Sequence, residues 1–332
     1  MGKITDLLRT HQFQAGLVDG ILALAVVLAC SVLRLFGRRP PIAGAVFAFA
    51  GLAALTGTGP GRRALAGVGF AALIGVLLLL GGGAISRVLP PVFRLLVGPW
   101  LLVPGSLVLG LAARHHGVPW WEALLLIVVL PPCAMLAGDF DRWHSSRAYG
   151  PLLLAITVGG VYLVVPDTEG ARALLGVVLP FILLTVPWPR ATLGMGGAAA
   201  AIGLIGYDVL IEGVGRPGSV IGALGCVGLF VYEPIGRRVA GRMRERAREL
   251  SFRRDGTWTH LGCVAIAASL HLIVVLWASR VAGRVHSASL ALLLLIPAIV
   301  AGIIASPLLP DPDPVVPPEP GFPGLGGTTE WG

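Results

Sequence analysis

The chain has 332 residues, of which 55% are hydrophobic and 13% charged, against about 25% charged in an ordinary soluble domain. So little charge cannot cover the surface of a soluble fold of this size, and a string of soluble globular domains is excluded. The formal net charge is +8, and of the 25 basic residues only Lys3 is a lysine.

A helix that crosses a bilayer needs about 20 mostly apolar residues, because lipid offers the backbone no hydrogen-bond partners. On that rule the sequence predicts an all-α fold, a polytopic transmembrane helix bundle of eleven spans. They lie at 15–35, 42–59, 64–83, 95–113, 119–137, 149–166, 171–188, 192–212, 218–235, 258–279 and 288–308. The count is ten if the short, Gly/Ala-rich second segment turns back without crossing. Residues 1–14 form a short N-terminal segment, 15–308 the bundle and 309–332 a tail. The first apolar run is followed by Gly37-Arg38-Arg39-Pro40-Pro41 rather than a small-residue cleavage site, so no cleavable signal peptide is expected.

Interfacial tryptophans mark several span ends. Trp120 and Trp121 open the fifth span, Trp188 closes the seventh, and Trp258 and Trp277 bracket the tenth. Prolines fall inside three spans: Pro99 and Pro104 in the fourth, Pro131 and Pro132 in the fifth, Pro180 in the seventh. Each removes a backbone donor, and these helices are expected to be broken, a pattern that points to transporter binding sites and equally to shape alone. Small residues recur at helical spacing in the eighth span (Gly196, Ala199, Gly203, Gly206) and the ninth (Gly218, Gly222, Gly225). These two spans are expected to pack through those faces as a tight hairpin.

Ionisable residues inside apolar spans are few and are the candidates for chemistry. Asp19, Glu122 and Glu233 sit near span ends, where they can snorkel or pair. Asp208, Glu212 and Arg216 form an i, i+4, i+8 ladder on one helix face. Glu212 can pair with Arg216, which leaves Asp208 deeper and without a partner in its own helix. His271 lies well inside the tenth span, with His260 eleven positions earlier and only about 20° around the helix. A buried carboxylate and a buried imidazole are the parts of a proton relay, so Asp208, Glu212 and His271 are the substrate or proton-coupling candidates. A histidine bonded to a neighbouring carbonyl needs no such role.

Enzyme signatures are lacking: there is no HExxH, GxSxG or Walker A loop, and no zinc-ligand spacing. Cys30, Cys133, Cys226 and Cys263 fall singly in apolar runs and read as small core residues. No catalytic residue, metal or cofactor is expected. Asp139 and Asp141 on the connector after the fifth span are too few and too divergent for a metal–diphosphate site, and that connector reads as a solvated loop. His115 and His116 are expected to be exposed.

The connector 236–257 is basic. Arg237, Arg238, Arg242, Arg244, Arg246 and Arg248 accompany a thin apolar stripe of Val239, Met243, Ala247 and Leu250. This predicts an amphipathic helix suited to anionic lipids of the cytoplasmic leaflet, or simply a topology anchor. It lacks interleaved aromatics, so nucleic-acid binding is not expected. If its side is cytoplasmic, that side carries 16 basic residues and the other 9; without the connector the numbers are 8 and 9. The orientation therefore rests on this one segment. Residue 168 then lies outside, as does the N-terminus with eleven spans. The tail, with Pro310-Asp311-Pro312-Asp313-Pro314, cannot build a core and is expected to be extended.

The phrase Val164-Val165-Pro166-Asp167-Thr168-Glu169 resembles one in a family of multi-pass actinobacterial membrane proteins of uncharacterised function. The resemblance implies a polytopic membrane protein and no particular activity. Residues 13–41 also look like the membrane-sensor half of actinobacterial histidine kinases, without implying kinase activity. Together these observations lead to a transporter-like or permease-like protein of the cell (inner) membrane. The alternative is a non-catalytic scaffold or accessory subunit of an envelope complex, with a protein partner or second copy on the Gly/Ala faces. A lipid-modifying enzyme is the third possibility.

Overall fold

The computed structural model describes residues 2–32, 68–89, 91–143, 149–165, 168–185, 194–213 and 257–282, and single positions between 216 and 226 and at 284, 296 and 300. All regular structure among the described residues is helical: α1 (Gly2–Arg9), α2 (His11–Val32), α3 (Val68–Val88), α4 (Pro91–His115), α5 (Trp120–Trp143), α6 (Tyr149–Val164), α7 (Glu169–Thr185), α8 (Gly194–Glu212) and α9 (Thr257–Ala282). Eight of the eleven expected spans coincide with α2 to α9. The segments 42–59, 218–235 and 288–308 lie outside the described residues but for single positions, as do the basic connector and the tail.

Local sequence sets the boundaries. Thr10 separates α1 from α2: its Oγ1 accepts the Phe13 amide at 3.4 Å and so caps α2. The N-terminal segment is thus a short helix, and α2 begins four residues earlier than apolar content suggests. Pro91 opens α4, where its missing N–H costs nothing. After His115 the chain reverses through Gly117, whose φ of 87° places it in the left-handed region. The Val118 amide returns to the Ala113 carbonyl at 3.3 Å and the Gly117 amide to Arg114 at 3.0 Å, closing the last turn of α4.

The expected breaks at proline do not occur. The chain is helical through Pro99 and Pro104 in α4, Pro131 and Pro132 in α5, and Pro180 in α7. One missing amide inside a long helix held by its neighbours does not end it. The Pro180 ring is a packing surface instead, with its Cγ 3.1 Å from where a Cβ on Gly20 would stand. Asp139 and Asp141 likewise sit on the last turns of α5 rather than on a loop.

The helices fall into two groups. In the first, α3, α4, α5 and α8 form a ring: α3 packs on α4, α4 on α5, α5 on α8 and α8 on α3. In the second, α2 packs on α7, α7 on α6 and α6 on α9. The groups meet mainly along α8, with α7 and slightly with α6, and α5 also touches α6 slightly. Residues 196–206 of α8 are all buried. They can be, because Gly and Ala let neighbours close in: a Cβ on Gly203 would lie 2.6 Å from Leu79, 3.1 Å from Leu109 and 3.3 Å from Leu130. The small face of the eighth span is therefore filled by leucines of α3, α4 and α5. The hairpin expected with the ninth span falls on Gly218, Gly222 and Gly225, which lie outside the described residues.

A close backbone approach joins α2 and α7. Gly16 faces the Ala173 backbone, Gly20 faces Val177, and the Gln12 amide reaches Glu169. Each pair differs by 157 in number, so the two helices run parallel in constant register.

Apolar side chains also cover the outside. Leu96 and Trp100 on α4, Val128 on α5 and Ile273 on α9 are between 61% and 71% exposed. Among the described residues one helix segment, Leu96–His115, is long and apolar enough to cross a membrane, and four shorter apolar helical segments accompany it.

Candidate functional site

Asp208 lies one turn before the end of α8. Its Oδ2 accepts the Gly170 amide at 2.7 Å, and the Ala171 amide follows in the same first turn of α7. Those amides are at the N-terminus of α7, where donors lack intrahelical partners and the helix dipole favours a negative charge. Thr168 stands at the capping position of α7, its Oγ1 donating to the Val165 carbonyl at 2.7 Å, and the Gly170 amide goes to Asp208. Asp208 thus caps α7 from another helix. Gly170 makes the approach possible, since a Cβ there would stand 2.7 Å from Oδ2. The partner that Asp208 lacks within α8 is thus the end of α7.

Further polar groups gather at this end of the molecule. Glu169 and Glu212 are the charged neighbours of Asp208. Gln12 Nε2 donates to Glu169 Oε1 at 3.2 Å. The Arg172 guanidinium lies 5.9 Å from the Tyr162 ring centre. His116, on the turn after α4, meets the Tyr207 ring edge-on at 6.3 Å. Arg114 stands 5.4 Å over the Trp120 ring, a cation–π contact. We call this the polar end; it joins the starts of α2, α5 and α7 to the ends of α4, α6 and α8.

The sequence-predicted residues are distributed unevenly over this geometry. Asp208 and Glu212 belong to the polar end, but α8 stops at Glu212 and Arg216 lies on the following turn, its amide bonded to the Gly213 carbonyl at 2.8 Å. The three-residue helical ladder is therefore cut after its second member. His271 is fully buried and shares with Ala268, Val275 and Ala278 the stripe of α9 that is turned inward. The principal neighbour of α9 is α6, whereas those of α8 are α5 and α3. Asp208 and His271 thus have different surroundings, and the structure does not bring them together. The Arg237–Arg248 cluster lies outside the described residues.

Glu122, in the first turn of α5, is buried, and among the described residues its Oε2 has no hydrogen-bond partner. The α5–α8 register, in which Leu126 meets Gly206 and Leu130 meets Gly203, aims it at the last turn of α8. Cys133 and Cys226 are buried free thiols. His115 and His116 are exposed. Among the described residues no three His, Cys, Asp or Glu side chains stand together as metal ligands would. Sequence reasoning missed the inter-helix cap on α7 and the Gly16–Gly20 contact; the second had a signal, the GxxxG spacing itself.

No protein-family model matches the chain, and no curated protein is similar to it.

Proposed function

We propose that the chain is a multi-pass membrane protein of permease type, in which two helix groups move against each other. The observation that carries this is the division of the bundle. The groups α3-α4-α5-α8 and α2-α6-α7-α9 are each well packed, touch mainly along α8, and are tied at the polar end by the Asp208 bond to α7. Rocking of one packed group against another is how alternating access works. The exposed Leu, Val, Ile and Trp side chains of α4, α5 and α9 support placement in lipid. Eleven spans in the cell membrane, with 236–257 cytoplasmic and its arginines on anionic headgroups, complete the proposal.

A scaffold or accessory subunit is the second reading. What favours it is that α8, on which the groups mainly meet, is tightly packed: leucines fill the space at Gly203 and Gly206, and α3 backbone lies against Gly196. Spin-label pairs distinguish the two. One pair at residues 14 and 70 reports on the polar end, and one at 29 and 85 on the opposite end; all four side chains are exposed. A permease is expected to show two distance populations in nanodiscs, opposite in sense at the two ends. A single narrow population at both ends, with a stoichiometric partner after mild detergent extraction, would establish the scaffold.

A further inference from the structure

We infer that the Asp208 carboxylate and the N-terminus of α7 form a protonation-sensitive latch that holds the two helix groups closed at the polar end. The inference rests on the proposal that the groups move. Asp208 is on α8 of one group and Gly170 on α7 of the other, and the 2.7 Å bond between them crosses the boundary. The bond is charge-assisted on both sides: the acceptor is a carboxylate and the donors carry the positive end of a helix dipole. One proton added at the carboxylate converts it to a neutral acid, with no other bond made or broken. The Gly170 amide then loses its charged acceptor, and the polar end is free to part.

The groups around Asp208 fit this role. Glu212, one turn further along α8, and Glu169 on α7 are acidic, so they oppose a third negative charge. Arg172 on α7 is drawn toward the Tyr162 ring of α6. Tyr207 on α8 meets His116 from the α4–α5 turn. The Gln12 to Glu169 bond at this end lies within the second group and does not resist its parting from the first. Gly170 is part of the device, because any side chain there would occupy the space of the carboxylate.

The test uses the full chain in nanodiscs with the 14/70 and 29/85 spin-label pairs. Between about pH 8 and about pH 3, a window that crosses the ordinary Asp value of about 3.9, the 14/70 distance should lengthen. Asp208→Asn should give the long distance at both pH values. A 14/70 distance with two populations that ignore both pH and Asp208→Asn overturns the latch alone. One narrow population under all conditions overturns the latch and the moving groups together. Should Asp208→Asn fold poorly, the unaltered chain still decides. Amide exchange at 170, corrected for the intrinsic pH dependence, should rise on acidification relative to amides in the middle of α7. Unchanged relative protection overturns the proposal.

Discussion

A single carboxylate does at residue scale what a local cap does in most helices. Capping side chains stabilise by about 1–2 kcal/mol, and the Asp208–Gly170 bond adds the joining of two helix groups. Asp208→Ala should therefore lower the detergent unfolding free energy by about 1–2 kcal/mol. Gly170→Ala should cost a similar amount through a different atom, because its new Cβ would displace the same carboxylate from 2.7 Å. The two changes break one contact, so the double variant should lose much less than the sum. Additive losses would show that Gly170 and Asp208 act independently.

At the scale of the element, glycine placement decides which helices can touch. Gly16 and Gly20 let the α2 backbone lie against Ala173 and Val177 of α7, and Gly75 and Gly105 do the same for α3 and α4. Gly81, on α3, has nothing within 4 Å of its Cβ position. Gly20→Leu should thus cost on the order of 3 kcal/mol or more, since the side chain would drive into backbone and the Pro180 ring. Gly81→Leu should be tolerated. The yield of folded protein and its detergent unfolding temperature read the contrast; equal tolerance would mean that α2 and α7 do not pack in this register. The same logic explains why prolines leave the helices unbroken, as Pro180 fits the space that Gly20 vacates.

At the scale of the whole molecule, the polar end gathers the turn at 116–119, the start of α7 and the end of α8. If 236–257 is cytoplasmic, the polar end is outside. A cysteine at Ser251 should then resist a membrane-impermeant thiol reagent in intact cells, and one at His116, which is exposed, should react. Thr168 is not the reporter its position in the sequence suggests, because it is fully buried and its hydroxyl is bonded to Val165. Labelling at 251 together with protection at 116 would invert the topology.

The apolar segments by themselves pointed to an all-α fold and to where most of the described helices lie, because in lipid a 20-residue run of Leu, Val, Ala and Gly satisfies its backbone as a helix. They also marked Asp208, Glu212 and His271 as rare ionisable groups in apolar surroundings. Only the tertiary structure decided what those groups meet. A cap supplied from 38 residues away leaves no local pattern, and the small face of α8 fits leucines from three helices as well as it fits a neighbouring glycine face. Helical periodicity says which residues share a face; it carries no information about the helix opposite. Pairing of faces is set by the packing of all the helices at once, which is why Asp208 was legible as unusual and its partner on α7 was not.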